Sequence, residues 1–256
     1  MRRFRSKSLR FAEWVPAELR EGLGYPDAEA AFADRRGTVL RRTPRRITFR
    51  TRLADGITIF RKLRVGRLRD AVIEWRSLHA LTDLGLTVPR PILMAVSEQG
   101  SSVVFAEVPG RNVKEQLAEA GRRPAGFEEF VRRRVAPTVR TLHEAGLVHR
   151  DLYWNHVFAE DLAPEGPPVA LIDVERIRRI GWPRRRRWLV KDLAGLCSSW
   201  PLPDDLGLAR RLLGDFDAQH ENDRGFTRDV LLKARRIRSH VPKWDGEPGD
   251  PAAPWP

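Results

Sequence analysis

Cysteine is almost absent from this chain. Its 256 residues include one cysteine, Cys197, so no disulfide can form within the chain. A lone cysteine is typical of proteins kept in a reducing compartment. Cys197 lies in the apolar run LAGLCSSW, which predicts a buried thiol rather than a nucleophile.

Long apolar runs are also missing. No stretch approaches the roughly 20 consecutive apolar residues that a membrane-spanning helix needs. The N-terminal sequence MRRFRSKSLRF is basic, but no apolar segment of signal-peptide length follows it. We therefore expect neither a spanning helix nor a secretory signal, and we expect the protein in the cytoplasm. Apolar residues make up 41% and charged residues 32%, which favours a folded globular protein.

Lysine is scarce, although the chain is strongly basic. The formal net charge is +13 and the isoelectric point is about 11, yet only six of the 47 basic residues are lysines. Such a charge attracts polyanions, whether nucleic acid, an anionic membrane surface or an acidic glycolipid, and charge alone does not choose among them. Because arginine serves wherever a solvated cation is needed, each lysine within the folded body is a candidate for a specific role.

The first part of the chain predicts an antiparallel sheet. Segments rich in β-branched residues alternate with turn signals such as Asp55-Gly56. The predicted strands cover residues 37–40, 47–53, 57–63, 92–96 and 103–108. Helical spacing of apolar residues predicts one main helix over 70–84.

The second part is mostly helical, with predicted helices over residues 113–120, 127–145, 188–196, 206–219 and 229–239. A five-stranded sheet with one helix, followed by a helical half, predicts an α+β fold of two lobes. We expect an N-terminal extension at 1–34, with a short helix over 16–23 and an alanine-rich turn or helix up to residue 32. The first lobe is expected at 35–108, the second at 109–242 and a flexible tail at 243–256.

Two aspartates carry the chemistry that we predict for the second part. Phosphoryl transfer needs a carboxylate that accepts the acceptor's proton and another that holds magnesium. Asp151 follows the apolar pair Leu147-Val148 in the triplet His149-Arg150-Asp151, and Asp173 follows the apolar run Val169–Ile172. These positions favour a base at Asp151 and a magnesium ligand at Asp173. The alternatives are a surface Arg-Asp pair and a helix-capping aspartate.

A lysine and a glutamate upstream complete this pattern. Lys62 lies in the third predicted strand, and Glu74 follows 12 residues later on the predicted helix. Kinases use such a pair to direct an ammonium group at the α- and β-phosphates. The alternative is a solvated strand lysine. No GxGxxG loop is present, and the arginines of Arg41–Arg46 either clamp phosphates instead or form a merely basic turn.

Three sequence blocks resemble one protein family. The blocks are HRDLYWNH from His149, LIDVER from Leu171 and RWLVKDLA from Arg187. They are similar to the bacterial lipopolysaccharide core kinase family, the Kdo/heptose kinases of the protein-kinase-like superfamily. The resemblance runs through about residues 37–200, and it implies ATP, Mg²⁺ and transfer of the γ-phosphate to a sugar hydroxyl of the inner core.

The resemblance also implies roles for individual residues. Asp151 would be the base within the catalytic triplet that His149 and Arg150 begin, and Asp173 would be the main metal ligand. Lys62 would be the ATP lysine, paired with Glu74. Three supporting roles are also implied: Glu107 in a hinge that binds adenine through its backbone, Asp192 as a buried brace of the catalytic loop, and Lys191 beside it.

One position departs from ordinary protein kinases. They place asparagine five residues after the base, whereas this chain has His156 there and Asn155 one residue earlier. The lipopolysaccharide kinases resemble this chain in having histidine at that position. Imidazole is a poorer magnesium ligand than a carboxamide oxygen. Three alternatives follow for this position. His156 binds one metal ion weakly or without direct contact, or a single ion bound by Asp173 suffices for the reaction. In the third alternative, His156 only forms hydrogen bonds within the loop.

The arginine run Arg184-Arg185-Arg186-Arg187 lies where a kinase's activation segment would pass the acceptor. Forked guanidinium groups pair well with phosphates and carboxylates, which makes these residues candidate acceptor contacts. A solvated face is the alternative for such a run.

We expect an ATP-dependent saccharide kinase that acts on an acidic lipopolysaccharide core acceptor. It would work as a monomer at the inner face of the cytoplasmic membrane, held on anionic lipid by its basic surface. The alternatives are another small-molecule or protein kinase of the same fold, or a basic pseudokinase or nucleic-acid-binding module. No zinc-finger or RNP signature is present, so nucleic acid is not the expected partner.

Overall fold

The protein has a mixed α/β fold with a large antiparallel sheet and several helices. The structure, a computed structural model, describes residues 7–121, 123–181, 185–199, 211, 213–216 and 223–239. Within these residues the chain divides into two compact units, one of residues 7–79 and 89–107 and one of residues 80–88 and 108–239. The domain boundaries expected from the sequence stay predictions.

The first unit is built on a six-stranded antiparallel sheet with the order β1-β5-β6-β4-β3-β2. Its strands are β1 Ser8–Phe11, β2 Thr38–Thr43, β3 Arg46–Arg52, β4 Thr58–Val65, β5 Pro91–Val96 and β6 Gly100–Ala106. Three helices accompany it: α1 Ala17–Leu23, α2 Ala28–Ala33 and α3 Leu68–Asp83. The five predicted strands and the predicted helix over 70–84 are therefore present.

The prediction of five strands is wrong, because the N-terminal segment adds a sixth. Strand β1 pairs antiparallel with β5, with Ser8 opposite Val96 and Phe11 opposite Leu93. Leu9 and Phe11 pack against the core cluster that β4, β5 and β6 share with α1 and α2. The segment reads as polar because arginines and a lysine surround these two apolar side chains. Its alternating apolar positions are nevertheless those of a strand with one buried face.

A buried ion pair joins the N-terminal segment to the sheet. Arg61 of β4 is only 2% exposed, and its guanidinium contacts the Asp34 carboxylate that follows α2. Nη1 of Arg61 also donates to the hydroxyl of Tyr25 at 2.6 Å, and Nη2 donates to the carbonyl of Arg36 at 2.7 Å. Burial opposes ionisation of Asp34, but hydrogen bonds from Arg36 and Tyr25 and the charge of Arg61 hold its pKa well below the usual range.

The second unit is mainly helical. Its helices are α4 Val113–Glu119, α5 Phe127–Phe130, α6 Ala136–Glu144, α7 Arg185–Ser198 and α8 Arg224–Arg238. Its short strands are β7 Arg111–Asn112, β8 Leu147–Val148, β9 Val157–Ala159, β10 Ala170–Leu171 and β11 Arg178–Arg179. The helix predicted over 127–145 contains a π-helical turn at Val131–Val135, between α5 and α6.

The structure tests two predictions about this unit, the burial of Cys197 and the start of the last helix. Cys197 is buried in α7, as predicted, and burial raises the pKa of its thiol to about 12. Helix α8 begins five residues before the predicted start at 229, because the side chain of Asp223 accepts a hydrogen bond from the amide of Phe226 and caps it. Most of the predicted helix over 206–219 and all of the tail at 243–256 lie outside the described residues.

Among the helices that the structure describes, none combines the length and the apolar character needed to cross a membrane.

We predict that Asp34→Ala lowers the free energy of unfolding by about 3–5 kcal/mol, because it leaves the Arg61 guanidinium buried without its carboxylate. Denaturant titration followed by tryptophan fluorescence measures the loss. The lowered pKa means that Asp34 stabilises the fold above about pH 4, and that this contribution disappears as pH falls towards the folded pKa. Wild type should therefore lose stability in acid more steeply than the variant.

The matched control is Asp83→Ala, which removes an exposed carboxylate at the end of α3. This variant should unfold within about 0.5 kcal/mol of wild type. Equal stability of Asp34→Ala and Asp83→Ala would contradict the role of the buried pair.

Candidate active site

A buried carboxylate holds the loop that carries the predicted base. Asp192 lies on α7 with 0% exposure, and it accepts hydrogen bonds from two consecutive amides of the loop. The amide of His149 donates to Oδ2 at 2.7 Å, and the amide of Arg150 donates to Oδ1 at 2.7 Å. Nε2 of His143, on α6, lies 3.3 Å from Oδ2. The contacts expected of a bracing aspartate are thus present.

The backbone of the loop is strained at Arg150. Its φ of 73° lies in the left-handed region, which residues other than glycine rarely adopt. Such a conformation costs about 1–3 kcal/mol and persists only where surrounding contacts enforce it. Asp192 supplies those contacts, because both of its oxygens are bound to the amides that flank the turn. The next residue, Asp151, is thereby aimed in one direction.

The side chain of Asp151 lies in a cationic environment. Nη1 of Arg176 donates to both carboxylate oxygens, at 2.8 and 2.7 Å, and Nζ of Lys191 lies 3.7 Å from Oδ1. Pairing of β8 with β11 places Val148 opposite Arg178 and so brings the two loops together. A carboxylate has about four lone-pair sites, so Asp151 keeps acceptor capacity for a further hydroxyl. Burial lowers the pKa of Lys191, against the attraction of Asp151 and Asp192.

A second pair of strands brings His156 and Asp173 together. Strands β9 and β10 pair antiparallel with Val157 opposite Leu171, and the amide of Ile172 donates to the carbonyl of His156 at 3.0 Å. As a result, Nε2 of His156 lies 3.8 Å from Oδ2 of Asp173. Asp173 itself has a φ of 57°, a second strained position in the described chain. Two of the predicted metal residues are therefore neighbours.

A hydrogen bond from the His156 ring shows which of its nitrogens carries the hydrogen. Nδ1 lies 2.7 Å from the carbonyl oxygen of Asp151, which can only accept, so Nδ1 carries the hydrogen. In the neutral ring Nε2 then has its lone pair free on the side of Asp173. A carboxylate oxygen of Asp173 and the Nε2 atom of His156, placed in this way, could both bind one divalent cation. The oxygen is the harder of the two ligands.

Asn155 and His149 are placed differently from His156. Asn155 is exposed, and its side chain makes no hydrogen bond with the residues that the structure describes. His149 is completely buried, and its Nε2 donates to the carbonyl of Ile172 at 3.0 Å. Burial lowers the pKa of His149 and keeps its ring neutral. His149 thus ties the loop of Asp151 to the segment that leads into Asp173.

In the first unit, Lys62 and Glu74 form the ion pair expected of them. Nζ of Lys62 lies 2.7 Å from Oε1 of Glu74, which is 1% exposed. Arg64, two residues further along β4, contacts Oε2 of the same carboxylate. Burial by itself would raise the pKa of Glu74, but the charges of Lys62 and Arg64 outweigh it and lower the pKa. Their role in nucleotide binding stays a prediction.

Glu107 lies just after β6. Its amide donates to the carbonyl of Thr58 at 3.0 Å, and its carboxylate pairs with Arg50, with Nη2 to Oε1 at 3.1 Å. The amide is therefore engaged in the sheet. If the backbone of Glu107 binds adenine, its carbonyl oxygen is therefore the group that accepts the hydrogen bond.

The arginine run begins helix α7. Nη1 of Arg186 lies 2.5 Å from Oδ2 of Asp229 on α8, and the guanidinium of Arg187 lies 5.9 Å from the ring centre of Trp188. Arg185 lies in the first turn, and Arg184 lies outside the described residues. Contacts of this run with an acceptor stay a prediction.

Sequence reasoning missed Arg176, Arg64 and His143. Arg176 contacts the predicted base, Arg64 shares Glu74 with Lys62, and His143 contacts Asp192. A signal existed only for Arg64, because residues i and i+2 of a strand point to the same face. The other two depend on the pairing of β8 with β11 and on the packing of α6 against the loop.

Comparison with known proteins gives three matches to one family. The sequence model described as the lipopolysaccharide kinase (Kdo/WaaP) family matches residues 58–213. A lipopolysaccharide core heptose(I) kinase WaaP of Escherichia coli is 29% identical over 192 residues, which cover 66% of this chain and 69% of that protein. The protein of the same description from strain K12 is 31% identical over 153 residues, which cover 54% and 55% of the two chains.

A braced loop that carries an aspartate, together with a lysine-glutamate pair on a strand and a helix, is typical of phosphotransferases of the kinase class. The family match covers more than half of the chain. The protein belongs to the lipopolysaccharide kinase (Kdo/WaaP) family, which confirms the resemblance that the three sequence blocks indicated.

We predict that Asp192→Ala lowers the free energy of unfolding by about 2–6 kcal/mol, because two buried amides lose their acceptor, each at a cost of about 1–3 kcal/mol. Asp192→Asn retains one acceptor oxygen but turns an amino group towards the second amide, so its loss should be intermediate. Denaturant titration orders the variants, and hydrogen exchange at the amides of His149 and Arg150 reports the loop directly.

Glu144→Ala serves as the control, since it removes an exposed carboxylate at the end of α6. Its stability and the exchange at both amides should match wild type. The bracing role fails if Asp192→Ala leaves that exchange unchanged.

Proposed function

We propose that the protein transfers the γ-phosphate of ATP to a sugar hydroxyl of the lipopolysaccharide inner core, on Kdo or heptose. The observation that carries the proposal is the loop at Asp151, which Asp192 braces and which lies beside the pair His156 and Asp173. The proposal includes the two-lobed protein-kinase-like fold, with residues 35–108 and 109–242 as its lobes.

Asp151 is the proposed general base. It accepts a hydrogen bond from the acceptor hydroxyl and takes its proton as the oxygen attacks the γ-phosphorus. Arg176 and Lys191, at 2.7 and 3.7 Å from the carboxylate, hold it in position. They also place positive charge where the transferred phosphoryl group accumulates negative charge.

Lys62 is the proposed contact to the α- and β-phosphates. The buried carboxylate of Glu74 holds the ammonium group, and Arg64 binds the other oxygen of that carboxylate. The carbonyl of Glu107 accepts from the adenine amino group. Asp173, with Nε2 of His156, holds Mg²⁺, which when bound neutralises charge on the β- and γ-phosphates.

Two observations support a saccharide acceptor. The relatives that match the chain are described as lipopolysaccharide core heptose(I) kinases, and the family is described by lipopolysaccharide. Histidine at position 156 also departs from the asparagine of protein kinases. The net charge of +13 supports peripheral contact with the anionic inner face of the cytoplasmic membrane, where a monomer meets its acceptor.

We predict that Asp151→Asn reduces kcat for phosphate transfer to purified core glycolipid by about 10²–10⁴-fold, because the amide cannot take the hydroxyl proton. The KM for ATP should change less than threefold, since Asp151 does not hold the nucleotide. Transfer of radiolabelled γ-phosphate to the glycolipid measures both. Asp83→Asn, which neutralises an exposed carboxylate, is the control and should match wild type. The proposal fails if wild type labels no sugar lipid, or if Asp151→Asn is as active as wild type.

We also predict that His156→Ala raises the Mg²⁺ concentration for half-maximal activity by about 10–100-fold, the range found when a group that supports a metal is lost. His156→Asn should restore part of this affinity, because its carboxamide oxygen suits magnesium better than imidazole does. Mg²⁺ titration at fixed ATP measures the shift. Midpoints equal to wild type in both variants would show that His156 only hydrogen-bonds within the loop.

A further inference from the structure

A cleft of about 700 Å³ opens between α7 and α8, within the second unit. This volume lies in the range of about 300–1,000 Å³ that small-molecule sites occupy. The cationic side chains that line it are Arg150, Arg186, Arg187, Lys191, Lys233 and Arg236. Asp229 is the acidic member of the lining, so the cleft is strongly positive.

Among the residues that the structure describes, carboxylates neutralise only part of this positive charge. Arg186 pairs with Asp229 at 2.5 Å, and Lys191 lies 3.7 Å from Asp151. The remaining four cations, which are Arg150, Arg187, Lys233 and Arg236, contact no carboxylate of the residues that the structure describes. Like charges gathered in a concave surface repel one another, and a bound anion relieves that repulsion.

The lining of the cleft also contains apolar side chains. Trp188, Val190 and Leu232 contribute apolar surface, and the guanidinium of Arg150 lies 5.2 Å from the ring centre of Trp188. Nε of Arg150 is buried and has no hydrogen-bond partner in the described part of the chain. A ligand that combines an anionic group with an apolar or ring-shaped face matches this combination, as an acidic sugar does.

Helix α8 contributes a single face to the cleft. Residues 229, 232, 233 and 236 follow the spacing i, i+3, i+4 and i+7, which places them on one side of a helix. An adjacent side is anchored in the core through Phe226, Val230 and Ala234. Helix α8 lies beyond residues 58–213, so this half of the cleft is built by a part of the chain that the family match does not cover.

The cleft adjoins the predicted base. Arg150 precedes Asp151 in the braced loop, and Lys191 lines the cleft while its Nζ lies 3.7 Å from Oδ1 of Asp151. An anion bound among these cations would hold the rest of its molecule beside Asp151.

We propose that this cleft binds a phosphate or carboxylate group of the acceptor saccharide and so places a neighbouring sugar hydroxyl at Asp151. The inference rests on the proposed function and adds to it the recognition of a second, anionic group on the acceptor. Forked guanidinium groups and ammonium groups suit both anions. The concave shape and the Trp188 ring in the lining favour a saccharide over the headgroups of a flat lipid surface.

The test compares two double variants with the same loss of charge. Lys233→Gln/Arg236→Gln removes two cations from the cleft face of α8. Arg228→Gln/Arg235→Gln removes two exposed cations from α8 that do not line the cleft. The cleft variant should raise the KM for deacylated lipopolysaccharide core by roughly tenfold or more, because each lost contact to a charged group weakens binding several-fold or more. Its kcat at saturating acceptor should change less than threefold, and the control variant should keep wild-type values.

Direct binding separates this inference from the proposed function. Isothermal titration without ATP, using deacylated core, its dephosphorylated form and its carboxyl-reduced form, needs no transfer activity. Wild type should bind the intact core roughly tenfold more tightly than the cleft variant does, and removal of one anionic group should erase that difference. The form that erases it identifies the anion as phosphate or carboxylate.

Two results would overturn the inference even if wild type phosphorylates core glycolipid. One is equal affinity of the cleft and control variants for the intact core. The other is a loss of binding confined to vesicles of phosphatidylglycerol, which would make the cleft a lipid contact. Tight, cleft-dependent binding without any phosphate transfer would instead refute the proposed function alone.

Discussion

The structure around the predicted base depends on one buried carboxylate. Asp192 accepts hydrogen bonds from the amides of His149 and Arg150. These two bonds hold Arg150 in a left-handed backbone conformation that residues with a side chain disfavour. Without this anchor the loop would relax, and the direction of Asp151 would be lost. The buried carboxylate of Asp192 therefore does two things at once: it stabilises the fold and it fixes the orientation of Asp151.

Short strands near Asp192 position the other side chains of the site. Pairing of β8 with β11 sets Arg176 against Asp151, and pairing of β9 with β10 sets His156 beside Asp173. Each of these strand pairs has only two or three residues to a strand, so its register is fixed by the surrounding helices and by His149, whose Nε2 donates to the carbonyl of Ile172. Rigid scaffolding of this kind lets a loop hold reactive groups precisely enough for transfer chemistry.

The first unit uses buried charge in a comparable way. Glu74 is almost inaccessible to solvent yet contacts both Lys62 and Arg64, and Asp34 binds the buried Arg61. Removing a partner from such a pair is costly, because a buried charge remains uncompensated. The N-terminal segment that carries Asp34 is thus a structural part of the sheet, through β1 and through this pair.

The sequence by itself determined the elements and the order of the chemical groups. Alternating and helical spacing predicted strands β2 to β6 and α3, because spacing along the chain encodes local structure. The order of Lys62, Glu74, Asp151 and Asp173 indicated a kinase. Only the tertiary structure decided the sixth strand, the contact of Arg176 with Asp151 and the basic cleft shared by α7 and α8. These features join residues far apart in sequence, and their contacts depend on strand register and helix packing, which no local pattern specifies.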